Sequence, residues 1–313
     1  MNDVISGKQL SNKFVIHAVN RHVSDMDKSK SEEYPYVFDE EKADRVIKII
    51  RRMRHTGGSF AGKQFDLQTF QAFIVASLFG WVRKDNGFRR FQKAYIEMAK
   101  KGGKSEFMAA LEVYMGFFDG EAGSQIYTAA TKRSQADHVF RPAKQMLSNL
   151  MKESPKLKSI ARVMRNEIIN TANNSFIKTL TSDSATEDGM NVHFGVADEY
   201  HAMKTDEILA NMESGAVSRD QPLIAIITTA GFNKNGPCYE YRNNVVAPVL
   251  EGTFELDSLF GIIFTIDEDD VDHFDSMDIE DIKKENVLYW KKANPNIGNT
   301  PKWGPLITQA KEC

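Results

Sequence analysis

The run Met98-Ala-Lys-Lys-Gly-Gly-Lys104-Ser105 restricts the possible folds of this chain more than any other stretch. A strand-like run, Lys93–Met98, leads into it. A helical run beginning at Glu106 leaves it, with Phe107, Met108, Leu111, Met115 and Phe118 on one face. A loop that binds phosphate needs backbone flexible enough to turn its N–H groups onto oxyanions, a lysine for the outer phosphates and a hydroxyl for Mg²⁺. Gly102 and Gly103 supply the first, Lys104 the second and Ser105 the third. The helix that follows points its N-terminal dipole at the same phosphates. The consensus form of such a loop puts glycine at 98, where this chain has methionine, so a basic turn at a helix start stays open as the other reading.

The 313 residues are enough for a sizeable core. Forty basic against 43 acidic side chains leave a net charge of −3, which excludes a global basic field but not a local basic face. Cys238 and Cys313, the two cysteines, exclude a disulfide framework or a cysteine-based zinc site. No apolar run approaches the ~18 residues needed to cross a bilayer, and the polar N-terminus has no signal-peptide core. A soluble protein of a reducing compartment is expected.

Residues 1–59 predict an N-terminal helical or extended segment packed on the core, with 25–33 a solvated loop. A helix from Asp39 carries Lys48, Arg51, Arg52 and Arg54, a basic run that either touches DNA or is a solvated face. From 60 to 238, strands alternate with helices. Helical spacing runs from Gln68 to Trp81, and apolar runs fall at Gln125–Ala130, Ser159–Arg165, Phe176–Leu180, Val192–Ala197 and Pro222–Thr228. Near-continuous apolar strands indicate a mostly parallel sheet with helices on both faces. From 239 to 313 the pattern changes, and a small α+β lid or linker subdomain is expected there.

Val192-His-Phe-Gly-Val-Ala-Asp198-Glu199 is an apolar strand ending in two acids. At the C-terminal end of a parallel strand, Asp198 can meet a metal through its hydration shell and Glu199 can serve as the base for water. A metal hydrolase using His193 and His201 is a rival, though their spacing is not that of H-E-x-x-H; acids capping the next helix are another. Thr228 and Thr229 end a further strand, where they can sense a γ-phosphate or act as plain turn residues. Gln71, one helix ahead of the loop, can read both the donor and the acceptor on adenine's edge or be an ordinary surface residue.

Together these stretches resemble the large terminase subunit of tailed bacteriophages. Leu67–Gln71 is similar to its adenine-contacting motif, Lys100-Lys101-Gly102-Gly103-Lys104-Ser105 to its divergent phosphate loop, and Asp198-Glu199 to its Walker B acids. Thr228-Thr-Ala-Gly231 is similar to its coupling motif, and Trp290–Pro295 to the segment closing its motor region. The resemblance implies a P-loop NTPase of the additional-strand conserved-glutamate type that hydrolyses ATP with Mg²⁺ to drive double-stranded DNA into a procapsid. It implies portal protein and small terminase subunit as partners, in host cytoplasm. It also implies a homo-oligomeric ring, a pentamer when docked and a monomer in isolation. Ring motors of this kind insert an arginine into a neighbour's site; Arg219 and Arg133 are the candidates. The family's nuclease domain is expected to be absent, and DNA cleavage with it. A helicase-like ATPase and a non-catalytic DNA- or portal-binding module are the rivals.

Overall fold

Lys93–Glu97, Val192–Asp198 and Leu223–Thr228 are buried almost without alternation, which requires layers on both sides of the strands they form. The computed structural model describes residues 1–131, 133–180, 189–270 and 289–312. The chain opens with α1 (Asn2–Ile5), α2 (Lys13–Lys28), β1 (Tyr36–Phe38), α3 (Glu40–Arg51), α4 (Thr69–Gly80) and β2 (Trp81–Arg83). Then come β3 (Lys93–Glu97), α5 (Lys104–Phe117), β4 (Gln125–Ala129), α6 (Arg133–Glu153), α7 (Pro155–Ile160), β5 (Ala161–Val163), β6 (Glu167–Asn170) and β7 (Ser175–Leu180). The rest comprises β8 (Val192–Asp198), α8 (Glu207–Ala216), β9 (Leu223–Thr228), α9 (Pro237–Tyr241), α10 (Ala247–Glu251), β10 (Leu259–Ile263), α11 (Trp290–Ala293) and α12 (Trp303–Glu312).

Eight strands form one sheet in the order β10-β3-β9-β8-β4-β7-β6-β5, while β1 and β2 pair separately. From β10 to β7 all neighbours are parallel; β6 and β5 add an antiparallel hairpin at one edge. The strand leading to the glycine loop, β3, and the strand ending in the two acids, β8, are separated by β9. That inserted strand is the additional strand of the expected fold class.

Side-chain contacts assign the two faces. Thr128 of β4 bonds Glu112 of α5, so the face of β4 and of its register partner Val196 on β8 lies under α5. Gly195, pointing the opposite way, leaves room for Met212 of α8: a Cβ there would come within 3.0 Å of its sulfur. Helices therefore cover both faces, as expected.

Three expectations are corrected. The subdomain boundary at 239 is crossed by the sheet, because β10 pairs residue for residue with β3 from Leu259↔Lys93 to Ile263↔Glu97. The run Ser159–Arg165 is not one strand: α7 extends to Ile160, and β5 holds only Ala161–Val163. The expected loop at 25–33 begins inside α2, and Asp25 is buried against Arg90, with Oδ2 2.7 Å from Nη1. This pairing, the Trp81 indole N–H donated to His22 (3.1 Å) and the bond from Arg21 to the Leu259 carbonyl (2.8 Å) fasten α2 beside β10. In the acidic stretch after β10, Asp267 and Asp270 both hold Lys292, at 2.9 and 2.8 Å; Asp275 and Asp278 lie outside the described residues.

Candidate active site

The parallel register brings three strand ends level: Glu97 of β3 sits beside Thr228 of β9, and Asp198 of β8 beside Ile227. The loop from Met98 to Gly103 rises from that edge. Lys101 (φ 65°) and Gly103 (φ 86°) are in the left-handed region, which turns the backbone sharply into α5. Only glycine takes that conformation without cost; at Lys101 it stores roughly 1–2 kcal/mol of strain. Met98, where the consensus has glycine, is buried with its sulfur tucked under the loop. A Cβ on Gly102 would approach that sulfur to 2.7 Å. A side chain at 102 would therefore have to displace the buried methionine sulfur.

Lys104 is buried, and its Nζ donates to the carbonyls of Met98 (3.1 Å) and Ala99 (3.3 Å), straddling the loop. Burial lowers its pKa, and the carboxylates of Glu199, Asp198 and Glu97 oppose that fall. Lys100 and Lys101 are exposed at the loop's rim. Ser105 Oγ lies 3.4 Å from Asp198 Oδ2. Asp198 Oδ1 is buried with no hydrogen-bond partner among the described residues. Burial, reinforced by the charge of Glu199, pushes Asp198 up to about 6, against the pull of Lys104. A buried carboxylate with an orphaned oxygen beside a hydroxyl fits a hydrated divalent cation. Among the described residues no group of three or more His, Cys, Asp and Glu could cage a metal alone. Ser105 and Asp198 are thus the side chains here whose arrangement fits a cation beside a phosphate.

His193 is set apart from this pair: it is fully buried at the other end of β8, 2.7 Å from Asp119, which also pairs with Arg89. Glu199 adopts φ 54°, ψ 47°, a left-handed conformation unusual outside glycine and asparagine. That turn carries its carboxylate out of the strand line, 30% exposed, with Oε2 3.2 Å from His201 Nδ1. His201 also donates its backbone N–H to Thr228 Oγ1 (3.0 Å), while its ring nitrogen lies 3.2 Å from that oxygen and 3.3 Å from Thr229 Oγ1. Burial lowers the His201 pKa against the pull of Glu199. Gly231 lies against His201 too closely for a side chain: its Cβ would sit 2.8 Å away. Glu199, Thr228 and Thr229 thus meet at one imidazole.

Beside Gly103 lies a cavity of about 90 Å³ lined by His55, Phe60, Gln68, Gln71, Asn296 and Asn299, among others. The amide oxygen of Gln71 accepts from Gln68 N (2.9 Å), closing the start of α4, so Gln68 rather than Gln71 bonds across the cavity, to Asn299 (3.2 Å). Glu106 latches the 55–56 loop onto α5: Oε2 is 2.9 Å from His55 Nδ1, and Oε1 accepts from Thr56 N (2.6 Å) and Oγ1 (2.8 Å). The C-terminal segment reaches the loop directly, Ala99 N donating to Ala293 O at 3.2 Å. Gln68 falls within the Leu67–Gln71 stretch, whereas His55, Glu106, Asn296 and Asn299 were not anticipated from the sequence; they come from three separate stretches that no local pattern links.

The two arginine candidates fare differently. Arg219 is engaged within the chain: Nε donates to Asn191 Oδ1 (2.6 Å) and Nη1 to Glu121 Oε1 and the Ala122 carbonyl (both 3.0 Å), its side chain being 10% exposed. These bonds tie loops at the strand starts, the end of the sheet away from Ser105, and occupy the guanidinium. Arg133 opens α6 just beyond β4, at the end of the sheet that carries Asp198; its side chain lies outside the described residues.

A lysine- and glycine-bearing loop between β3 and α5, two acids at the end of the next strand but one, and an inserted strand between define a P-loop NTPase of the additional-strand type. The chain belongs to the terminase large subunit family: the model of the terminase large subunit ATPase domain matches residues 69–246. Its fold is similar to the large terminase of bacteriophage HK97 (TM-score 0.67, 20% identity, covering 87% of this chain and 51% of that one). The large terminase of a thermophilic bacteriophage, solved with ADP, aligns with TM-score 0.42 at 14% identity over 64% of this chain and 46% of that one. Protein YmfN of Escherichia coli K12 is 45% identical over 111 residues, 36% of this chain and 22% of that protein. The chain thus spans about half the length of the HK97 protein and less of YmfN.

Proposed function

We propose that this chain is the ATP-hydrolysing part of a motor that moves double-stranded DNA into a procapsid. The observation that carries the reading is the approach of Ser105 to Asp198, with Glu199 turned out beside them and Lys104 across the loop. In that arrangement the loop amides and Lys104 bind the β- and γ-phosphates of ATP. Ser105 and Asp198 would hold Mg²⁺, which would neutralise negative charge on the phosphates. Glu199 orients and deprotonates the attacking water. His201 Nδ1 faces Glu199, Thr228 and Thr229 together, at 3.2, 3.2 and 3.3 Å, and can bond only one of them at a time, so a change at the γ-phosphate that moves Glu199 alters what the β9 loop meets. Portal protein, small terminase subunit, a ring of copies and a host-cytoplasmic setting come with this reading, and Arg133 is its remaining arginine candidate.

The test is ATP-driven displacement of a third strand from an intact duplex by the ring assembled on portal. Displacement without strand separation is expected. Separation of a tailed duplex would favour the helicase-like rival, and neither activity, with no nucleotide bound, the non-catalytic module.

A further inference from the structure

Residues 141–167 carry seven Lys and Arg against two Glu, in a chain whose net charge is −3. Both acids are drawn off by cations outside that stretch: Glu153 by Arg54 (2.8 Å) and Glu167 by Lys178 (3.2 Å). The earlier basic run on α3 is different, because Lys48 pairs with Asp44 (3.2 Å), Arg51 with Asp66 (3.6 Å) and Arg54 with Glu153. That run is largely self-neutralised; the later one is not.

The fold gathers the later charges. Arg141 and Lys144, three apart, share a face of α6. Lys144 Nζ donates to the Arg165 carbonyl (3.2 Å), drawing the β5–β6 hairpin tip against the helix. Between them opens a cleft of about 520 Å³ lined by Asp137, Phe140, Arg141, Lys144, Arg165 and Asn166, within the size range of ligand clefts. Its one acid, Asp137, is bound to Arg141 at 3.0 Å, and the Arg141 side chain remains 78% exposed. Beyond the cleft, Lys156, Lys158 and Arg162 stand exposed along α7 and the edge strand β5. A pocket for one small anion would not continue along an edge in this way; a surface that follows a polyanion would.

We infer that the α6 face and the β5–β6 edge form the surface that grips the phosphate backbone of duplex DNA. This rests on the motor reading above and adds its contact surface. The surface is mechanically placed for that task. Helix α6 begins where β4 ends, and Ala129 of β4 lies in register with Ala197, the residue before Asp198. Arg141 is eight residues along the helix from Arg133, about 12 Å from that end at 1.5 Å per residue. Helix α6, which carries Pro142 inside it, thus links the β8 end to the cationic cleft.

The experiment measures duplex binding by fluorescence anisotropy across a salt series, with ATP turnover in the same samples. It compares the native chain with R141Q/K144Q/R165Q, with the milder R162Q, and with K48Q/R51Q as a control. The triple variant should bind about tenfold more weakly, with a log–log salt slope reduced by about two to three, R162Q by about one, and the control little changed. Basal ATP turnover should persist in all. Unchanged affinity and slope in the triple variant, or no duplex binding by the native chain, overturns the inference. So does loss of self-association alone, which would make the face a subunit contact. A native chain that binds duplex through these residues yet never hydrolyses ATP would uphold the surface and sink the motor reading instead.

Discussion

Met98 and Gly102 are a packed pair: the methionine sulfur occupies the space a side chain at 102 would need. The departure from the consensus loop is therefore compensated four residues on. Gly102→Ala is expected to push the loop outward and weaken ATP binding at least tenfold. Met98→Gly is expected to leave ATP binding within a few-fold but to cost on the order of 3 kcal/mol in stability, through a cavity and a more flexible backbone. The double variant Met98→Ala/Gly102→Ala should bind ATP better than Gly102→Ala alone. Isothermal calorimetry with a denaturant melt of each variant checks all three.

Glu106 holds the wall of the cavity beside Gly103. Burial works against its charge, but the bonds from His55 and Thr56 outweigh it and lower its pKa. Glu106→Ala should release the 55–60 loop and raise the KM for ATP about tenfold with a smaller effect on kcat, the pattern of a lost binding interaction. Steady-state kinetics distinguish this from a general loss of fold, which would remove active enzyme without moving KM.

Glu112 lies fully buried on α5, bonded to Thr128, with Oε2 unpartnered among the described residues. Burial pushes it up to about 8 from 4.5. The sign follows from proton counting: between those values the folded chain keeps a proton that the unfolded chain releases. Stability from this group is complete below about 4.5 and is lost as pH rises through about 8. Glu112→Gln keeps the hydrogen bond and removes the titration. The variant should be more stable than native at pH 8 by on the order of 1–3 kcal/mol, with the difference shrinking toward pH 5. Denaturant melts at the two pH values check it.

Much of this was legible in the sequence because it is local. The loop, the acids after β8 and the threonines after β9 are each contiguous stretches at strand ends, and hydrophobic pattern alone set them on a parallel sheet. What was not legible depends on partners far along the chain. Asp25 reads as solvent-facing until Arg90, 65 residues on, is beside it. Leu259–Ile263 reads as part of an appendage because the helix before it is broken by a π turn at Arg242–Val246, with Pro248 in the next turn, and acidic residues follow. Arg219 looks free until Glu121 and Asn191 converge on it. The hairpin β5–β6 is too short for periodicity to define.

His201 Nδ1 lies within 3.3 Å of Glu199, Thr228 and Thr229. His201→Ala is expected to lower kcat by about ten- to 100-fold, the cost of a misplaced base, with KM for ATP little changed. DNA stimulation of the residual turnover should be lost with it. Retained stimulation would mean that Thr228 and Thr229 act without this imidazole.

ATP turnover and nucleotide binding by the native chain and by Glu199→Gln, each with and without duplex DNA, test the central claim most directly. The account predicts turnover in the native chain, and in the variant a loss of at least about 100-fold with ATP still bound. A native chain that neither binds nor hydrolyses ATP, or a Glu199→Gln variant that turns over at the native rate, would contradict it.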